Sequence, residues 1–209
     1  RLAEAVAAIG RTEWPLRLTA TTTGMLQGLA ELTGVPASDP DAVADAVGPA
    51  SAFLRSALRT TTNPTVLTAG YKHNVIPDRA EALVDVRALP GTEEAVLADI
   101  RRIVGEDVEV ELVIGEIGLE QPFGGDLVDA ITGTLERHDP GAPVLPYLLS
   151  GGTDNKALSR LGITGYGFAP LRLPSDLDFP GMFHGVDERV PLDALVFGRT
   201  VLRDLLRSY

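Results

Sequence analysis

Residues 64–105 carry the most restrictive pattern in the chain. A Val-, Leu- and Thr-rich run, PTVLTAGY, is joined by the connection NVIPD to a second run, AEALVDVRAL, and PGTEEAVLADIRRIVG follows directly. Two such runs separated by a Pro- and Asn-bearing connection predict adjacent antiparallel strands. The Pro90-Gly91 pair then breaks the strand. Thr92 stands at an N-cap position, Glu93 and Glu94 occupy the first turn, and Val96, Ile100, Ile103 and Val104 share one helical face, which together predict a helix. The next run, DVEVELVI at 107–114, alternates strictly as a half-buried strand does.

Upstream, RLAEAVAAIG places Leu2, Ala5, Val6 and Ile9 on one helical face. Neither an initiator Met nor a Ser, Thr, Asp or Asn cap precedes it, so upstream sequence is expected to be missing. Helical spacing recurs over 23–33 and 41–58, separated by GVPASDP, and these stretches are expected to form a helical insertion at about 20–60. The order helix, strand, strand, helix, strand is that of a ferredoxin-like split βαβ unit lacking its first strand.

Periodicity is interrupted at GEIGLEQPFGG, residues 115–125, which predicts a domain boundary near residue 118. Residues 1–117 then form one domain and 118–209 a second. The second is expected to hold helices at about 126–137, 155–161 and 191–207, with strands at VLPYLL and ITGYGF. The fold class is therefore α/β, with a first domain of α+β type.

Composition narrows the functional classes. Acidic residues outnumber basic ones 29 to 18, a net charge of −11, which opposes binding to phosphate backbones or anionic lipid. No nucleic-acid or membrane partner is expected, and no stretch approaches the roughly 20 apolar residues of a membrane span. The absence of cysteine removes disulfides and thiolate metal sites. Any transition metal must then be held by His, Asp and Glu, and a soluble, cytoplasmic setting is expected.

Few residues are suited to chemistry. His138 lies in the last turn of a helix, where an imidazole complements the dipole. His73 adjoins the Asn74 turn, a setting that favours a surface or hydrogen-bonding role. His184, in MFHGVDERVP, stands within four residues of Asp187 and Glu188; a salt-bridged loop residue and a metal ligand both fit. In SGGTDNKAL, Thr153 and Asp154 could cap a helix, while the glycines suit close approach of a ligand to the backbone. The loop lacks a phosphate-binding pattern, and Ser150 lacks a nucleophile elbow. Arg87 shares a strand face with Asp85, so an internal ion pair competes with recognition of a carboxylate.

The succession NVIPDRAEALVDVRALPG, SGGTDNKAL and FHGVDERVPLDAL resembles the co-catalytic zinc peptidases of family M-twenty, the family of aminoacylases, carboxypeptidase G and succinyl-diaminopimelate desuccinylase. The resemblance spans about residues 64–207. It implies that residues 1–117 are a lid that dimerises the protein as a homodimer. It further implies that Asn74 and Arg87 bind a substrate carboxylate, that Gly152, Thr153 and Asp154 line the substrate pocket, and that His184 is a zinc ligand. Cobalt or manganese would suit the same nitrogen and oxygen donors.

In such proteins two zinc ions activate a bridging water, a Glu takes its proton, and the hydroxide attacks an amide carbonyl of a peptide or N-acyl amino acid. The H-x-D motif and Glu-Glu pair that supply the other ligands and the base do not occur here, since Glu93-Glu94 lies on the lid helix. The resemblance thus implies a chain inactive alone, with no catalytic residue of its own. The alternative is a non-catalytic dimerisation or interaction module built on the same fold.

Overall fold

The computed structural model describes residues 1–209. Its elements run α1 (Leu2–Gly10), α2 (Ala20–Thr33), α3 (Pro40–Ala46), α4 (Ser51–Ser56), β1 (Thr61–Ala69), β2 (Ala80–Arg87), α5 (Glu93–Val104), α6 (Asp126–His138), α7 (Asn155–Ser159) and α8 (Leu192–Ser208). Short 3-10 turns at Gly48–Ala50 and Pro180–Met182 complete the set.

The hairpin forms where the sequence predicts it. β1 and β2 pair antiparallel, with Thr61 opposite Arg87 at one end and Ala69 opposite Ala80 at the other. The register slips between Pro64 and Val66, leaving Thr65 as a one-residue bulge beside a proline that has no N–H to give the ladder. α1 lies against both strands of this hairpin and α5 packs on α1. Ile9, Val96 and Ile100 form a small core with Trp14, Val84 and Val110 packed against it, so the apolar face read from the helical spacing is the face that is buried.

The insertion is more finely divided than its periodicity suggests. Residues 41–58 are two short helices broken at Val47, where Gly48 takes φ +65° and Pro49 follows. α3 and α4 are held side by side by a charged lattice in which Asp41 accepts from Arg55 and Arg59, and Asp45 accepts from Arg55 at 2.6 Å. Hydrogen bonding from Arg59, reinforced by Arg55, holds the Asp41 carboxyl below its ordinary pKa. Beneath this lattice lies the largest core of the chain, which joins Met25 and Leu26 of α2 and Val43 of α3 to Leu54 of α4, and includes Leu89 and Leu148. A capping box between Thr19 and Thr22 starts α2, a signal that the sequence carries as T-x-x-T rather than T-x-x-E.

Three predicted strands are not strands. Residues 107–114, 144–149 and 163–168 are extended or irregular, and no backbone ladder engages them. Alternation specifies which side chains share a face, but a strand exists only when a neighbour takes its backbone groups. Val113 and Ile114 are accordingly exposed. The expected boundary near residue 118 falls between α5 and α6, in a stretch without backbone pairing, and Glu93 of α5 reaches over to accept the Gly118 N–H.

In the second half, α6 packs on α8. On α8, Gly198 passes close to residue 170, where a Cβ would lie 2.7 Å from the Pro170 carbonyl oxygen. His138 Nε2 meets Asp204 Oδ2 at 2.9 Å across the two helices, so the imidazole placed by sequence at a helix end ties α6 to α8. No helix is long and apolar enough to cross a membrane.

Candidate functional site

Asn74 sits with His73 at the centre of the turn closed by the Val75 N–H and the Lys72 carbonyl. Both are exposed. Arg87 ends β2, opposite Thr61. Seven residue steps of β2 separate that end from Ala80, about 23 Å at the ordinary strand rise. One chain therefore holds Asn74 and Arg87 at opposite ends of its hairpin, and they do not converge on one ligand.

The Arg87 guanidinium is engaged by its own strand. Nε donates to Asp85 Oδ1 at 2.6 Å and Nη2 to Asp85 Oδ2 at 2.8 Å. This is the forked geometry suited to any carboxylate, and here an internal one takes it. Both side chains remain partly exposed.

Gly152, Thr153 and Asp154 form an exposed turn leading into α7. Asp154 stands at the N-cap, yet its side chain makes no capping hydrogen bond; backbone carbonyls of Thr153 and Asp154 take the first helical N–H groups instead. Nothing lies within 4 Å of a Cβ built on Gly152. Open space around that backbone suits a ligand better than it suits a packing role.

His184 is the one non-glycine residue with positive φ, at 61°. That conformation is sterically costly for an L-residue. Its backbone N–H donates to Glu188 Oε2 at 3.2 Å, so the acidic neighbour noticed in the sequence supports the backbone rather than the imidazole. Nowhere do three His, Asp or Glu side chains gather closely enough to hold a metal ion. His184 alone, with Glu188 turned to its backbone, does not make a zinc site.

The sequence reading missed the aromatic group beside these two loops. Phe53 of α4 stacks on Tyr147, centroids 4.9 Å apart and planes 13° from parallel. Phe53 also meets Phe183 edge-on, centroids 6.0 Å apart and planes at 82°, and Phe183 in turn meets Phe179 at 5.2 Å. Burial raises the Tyr147 phenol above its ordinary pKa, against the opposing hydrogen bond with Ser56. Aromatic residues scattered at 53, 147, 179 and 183 give no local pattern, so only the fold reveals their meeting.

Residues 1–110 match the family model described as the peptidase dimerisation domain, just over half of the chain. The chain belongs to this peptidase family. It is 33% identical over 143 residues to an N-fatty-acyl-amino acid synthase/hydrolase PM20D1 of Xenopus tropicalis, covering 66% of this chain and 27% of that protein. It is 30% identical over 139 residues to a probable carboxypeptidase S-like 2 of Dictyostelium discoideum, covering 64% of this chain and 26% of that protein. The human N-fatty-acyl-amino acid synthase/hydrolase PM20D1 is 30% identical over 143 residues, covering 66% and 28%. The chain spans about a quarter of the length of these curated relatives. No solved structure matches it. A mixed α/β chain with the dimerisation domain at its N-terminal side, related to hydrolases, is what the fold and these similarities establish together.

Proposed function

We propose that these residues serve a metal-dependent hydrolase that cleaves an amide bond of a peptide or N-acyl amino acid bearing a free carboxylate, acting as a homodimer. The observation that carries this reading is the similarity to relatives named for N-fatty-acyl-amino acid hydrolysis, on a chain that opens with a peptidase dimerisation domain. Zinc is the proposed metal, with cobalt or manganese suited to the same donors.

Within that reading the chain contributes recognition and one donor. Arg87 presents a planar fork that a substrate carboxylate can take in exchange for Asp85. Asn74 offers an amide from the far end of the hairpin, so its partner is a site other than the one at Arg87 of the same chain, which a second copy could supply. The open backbone at Gly152, with Thr153 and Asp154, borders the substrate. His184 supplies one imidazole. The remaining ligands and the general base are assigned to residues outside these 209, because the donors present here do not converge, and the chain alone is expected to be inactive.

A second reading draws on the same lack of converging donors: a dimerisation or interaction module without catalysis. Metal content and hydrolysis of N-acyl amino acids by the intact protein, beside its His184→Ala variant, separate the two. Near two zinc ions per chain and activity that collapses in the variant support the hydrolase. A metal-free, inactive protein that still dimerises leaves the module.

A further inference from the structure

The loops that carry Gly152–Asp154 and His184 have little backbone support of their own. Residues 143–152 make no backbone–backbone hydrogen bond, and the bonds around 179–185 are all local turns. Side-chain packing must therefore fix where each loop sits, and in both cases that packing leads to the helical insertion.

Along the first segment, Leu145 fits against Gly28 of α2, where a Cβ would come within 2.3 Å of its Cδ2, and Pro146 lies over Gly24 one turn earlier. Tyr147 then stacks on Phe53. Leu148 enters the insertion's core, and the Ser150 hydroxyl lies 3.1 Å from that of Ser56, next to the Gly151–Asp154 turn. Along the second segment, the Pro180–Met182 turn rests against α4 and the Gly48–Ala50 turn. Phe183, the residue before His184, meets Phe53 edge-on.

Phe53 is the residue common to both contacts. Its stacked contact addresses the segment leading to Gly152, and its edge-on contact addresses the segment leading to His184. Aromatic pairs of this stacked and edge-on kind have preferred separations and orientations, which makes such a pivot directional where an aliphatic contact is not.

We propose that Phe53 is a positioning residue: the helical insertion, through the Tyr147–Phe53–Phe183 contacts, sets the spacing between the Gly152–Asp154 loop and His184. This rests on the reading of those two loops as parts of one site, and assigns the insertion a task in that site rather than in dimerisation. It predicts that the two loops loosen together when the pivot is lost, although they are some 30 residues apart in sequence.

The test is hydrogen–deuterium exchange of the intact protein, read over residues 145–154 and 179–188, in Phe53→Ala, Phe53→Leu, Phe53→Tyr and a control, Val43→Ala. Val43 is fully buried in the insertion's core, which Leu148 also enters, and is no part of the aromatic contacts, so it reports destabilisation of the insertion with the pivot itself intact. The expected result is exchange at least about tenfold faster in both segments for Phe53→Ala and Phe53→Leu, near-native exchange for Phe53→Tyr, and less than about threefold change for Val43→Ala, consistent with local opening set by nearby contacts. Phe53→Leu keeps most of the apolar volume, so it remains informative where Phe53→Ala unfolds the insertion. Unchanged exchange, loosening of one segment alone, or an equal effect of Val43→Ala overturns the proposal.

Hydrolysis of an N-acyl amino acid is measured on the same proteins. A parent without hydrolase activity sinks the functional reading, while the exchange result still decides whether Phe53 couples the loops. In an active parent, kcat is expected to fall at least tenfold in Phe53→Leu and to recover in Phe53→Tyr; kcat unchanged in Phe53→Leu also overturns the proposal.

Discussion

Arg87 closes both arms of its guanidinium fork on Asp85, two residues away on the same face of β2. A carboxylate ligand would have to replace that partner, so Asp85 sets the baseline against which recognition is measured. In the intact protein, Arg87→Lys keeps the charge but loses the fork. Its KM for an N-acyl amino acid is expected to rise about tenfold or more, since hydrogen bonds to charged groups contribute about 1.5–3 kcal/mol. Asp85→Asn is expected to lower that KM, and neither change should affect a substrate whose carboxylate is amidated. Equal effects on the acid and its amide would remove Arg87 from carboxylate recognition.

Gly198 and Gly133 both lie inside helices but predict opposite outcomes. A Cβ at Gly198 would meet the Pro170 carbonyl oxygen at 2.7 Å, and backbone cannot swing aside; at Gly133 the nearest atom is the flexible Arg137 Nη1 at 3.9 Å. Alanine gains about 1 kcal/mol over glycine in a helix interior, whereas overpacking costs about 1–3 kcal/mol. Gly133→Ala is expected to raise the urea midpoint and Gly198→Ala to lower it. A stabilised Gly198→Ala would show that α8 can move away from residue 170.

The hairpin, α5 and the closing helices were legible because each is specified locally, by alternation, by a 3.6-residue apolar face or by a breaker such as Pro90-Gly91. What escaped was decided by distant partners. The run at 107–114 alternates as a strand should, yet nothing takes its backbone groups. Thr92 holds the N-cap position of α5, but its hydroxyl donates to the Leu89 carbonyl instead of accepting a helical N–H. The ion pair of Arg87 with Asp85 was foreseeable from their shared face. The meeting of Phe53 with Tyr147 and Phe183 was not, because residues some 94 and 130 positions away leave no periodic trace.

The Asp41 lattice predicts an acid-labile insertion. The folded-state pKa of Asp41 lies below its ordinary value, chiefly through the Arg59 hydrogen bond. A depressed carboxyl contributes stability that is present above the unfolded pKa, about 3.9, and disappears as pH falls through the folded one. Asp41→Asn is expected to melt at lower temperature than the wild type at neutral pH, with the two curves converging below about pH 4. A constant difference from pH 7 to pH 2 would show that Asp41 acts through packing and not through its charge.

His184 combines a strained backbone with a proposed metal-binding side chain, and the two can be separated by replacement with glycine. At φ 61° an L-residue carries a penalty of about 1–2 kcal/mol, which glycine relieves, offset by about 0.4–1 kcal/mol of extra entropy in the unfolded chain. His184→Gly is therefore expected to leave the thermal midpoint unchanged or slightly higher, while His184→Ala keeps the strain. If the imidazole is a metal ligand, both variants lose metal and activity alike in the intact protein despite their different stabilities. If the residue matters only for shaping the 182–188 turn, His184→Gly retains activity and metal content, and the ligand assignment fails.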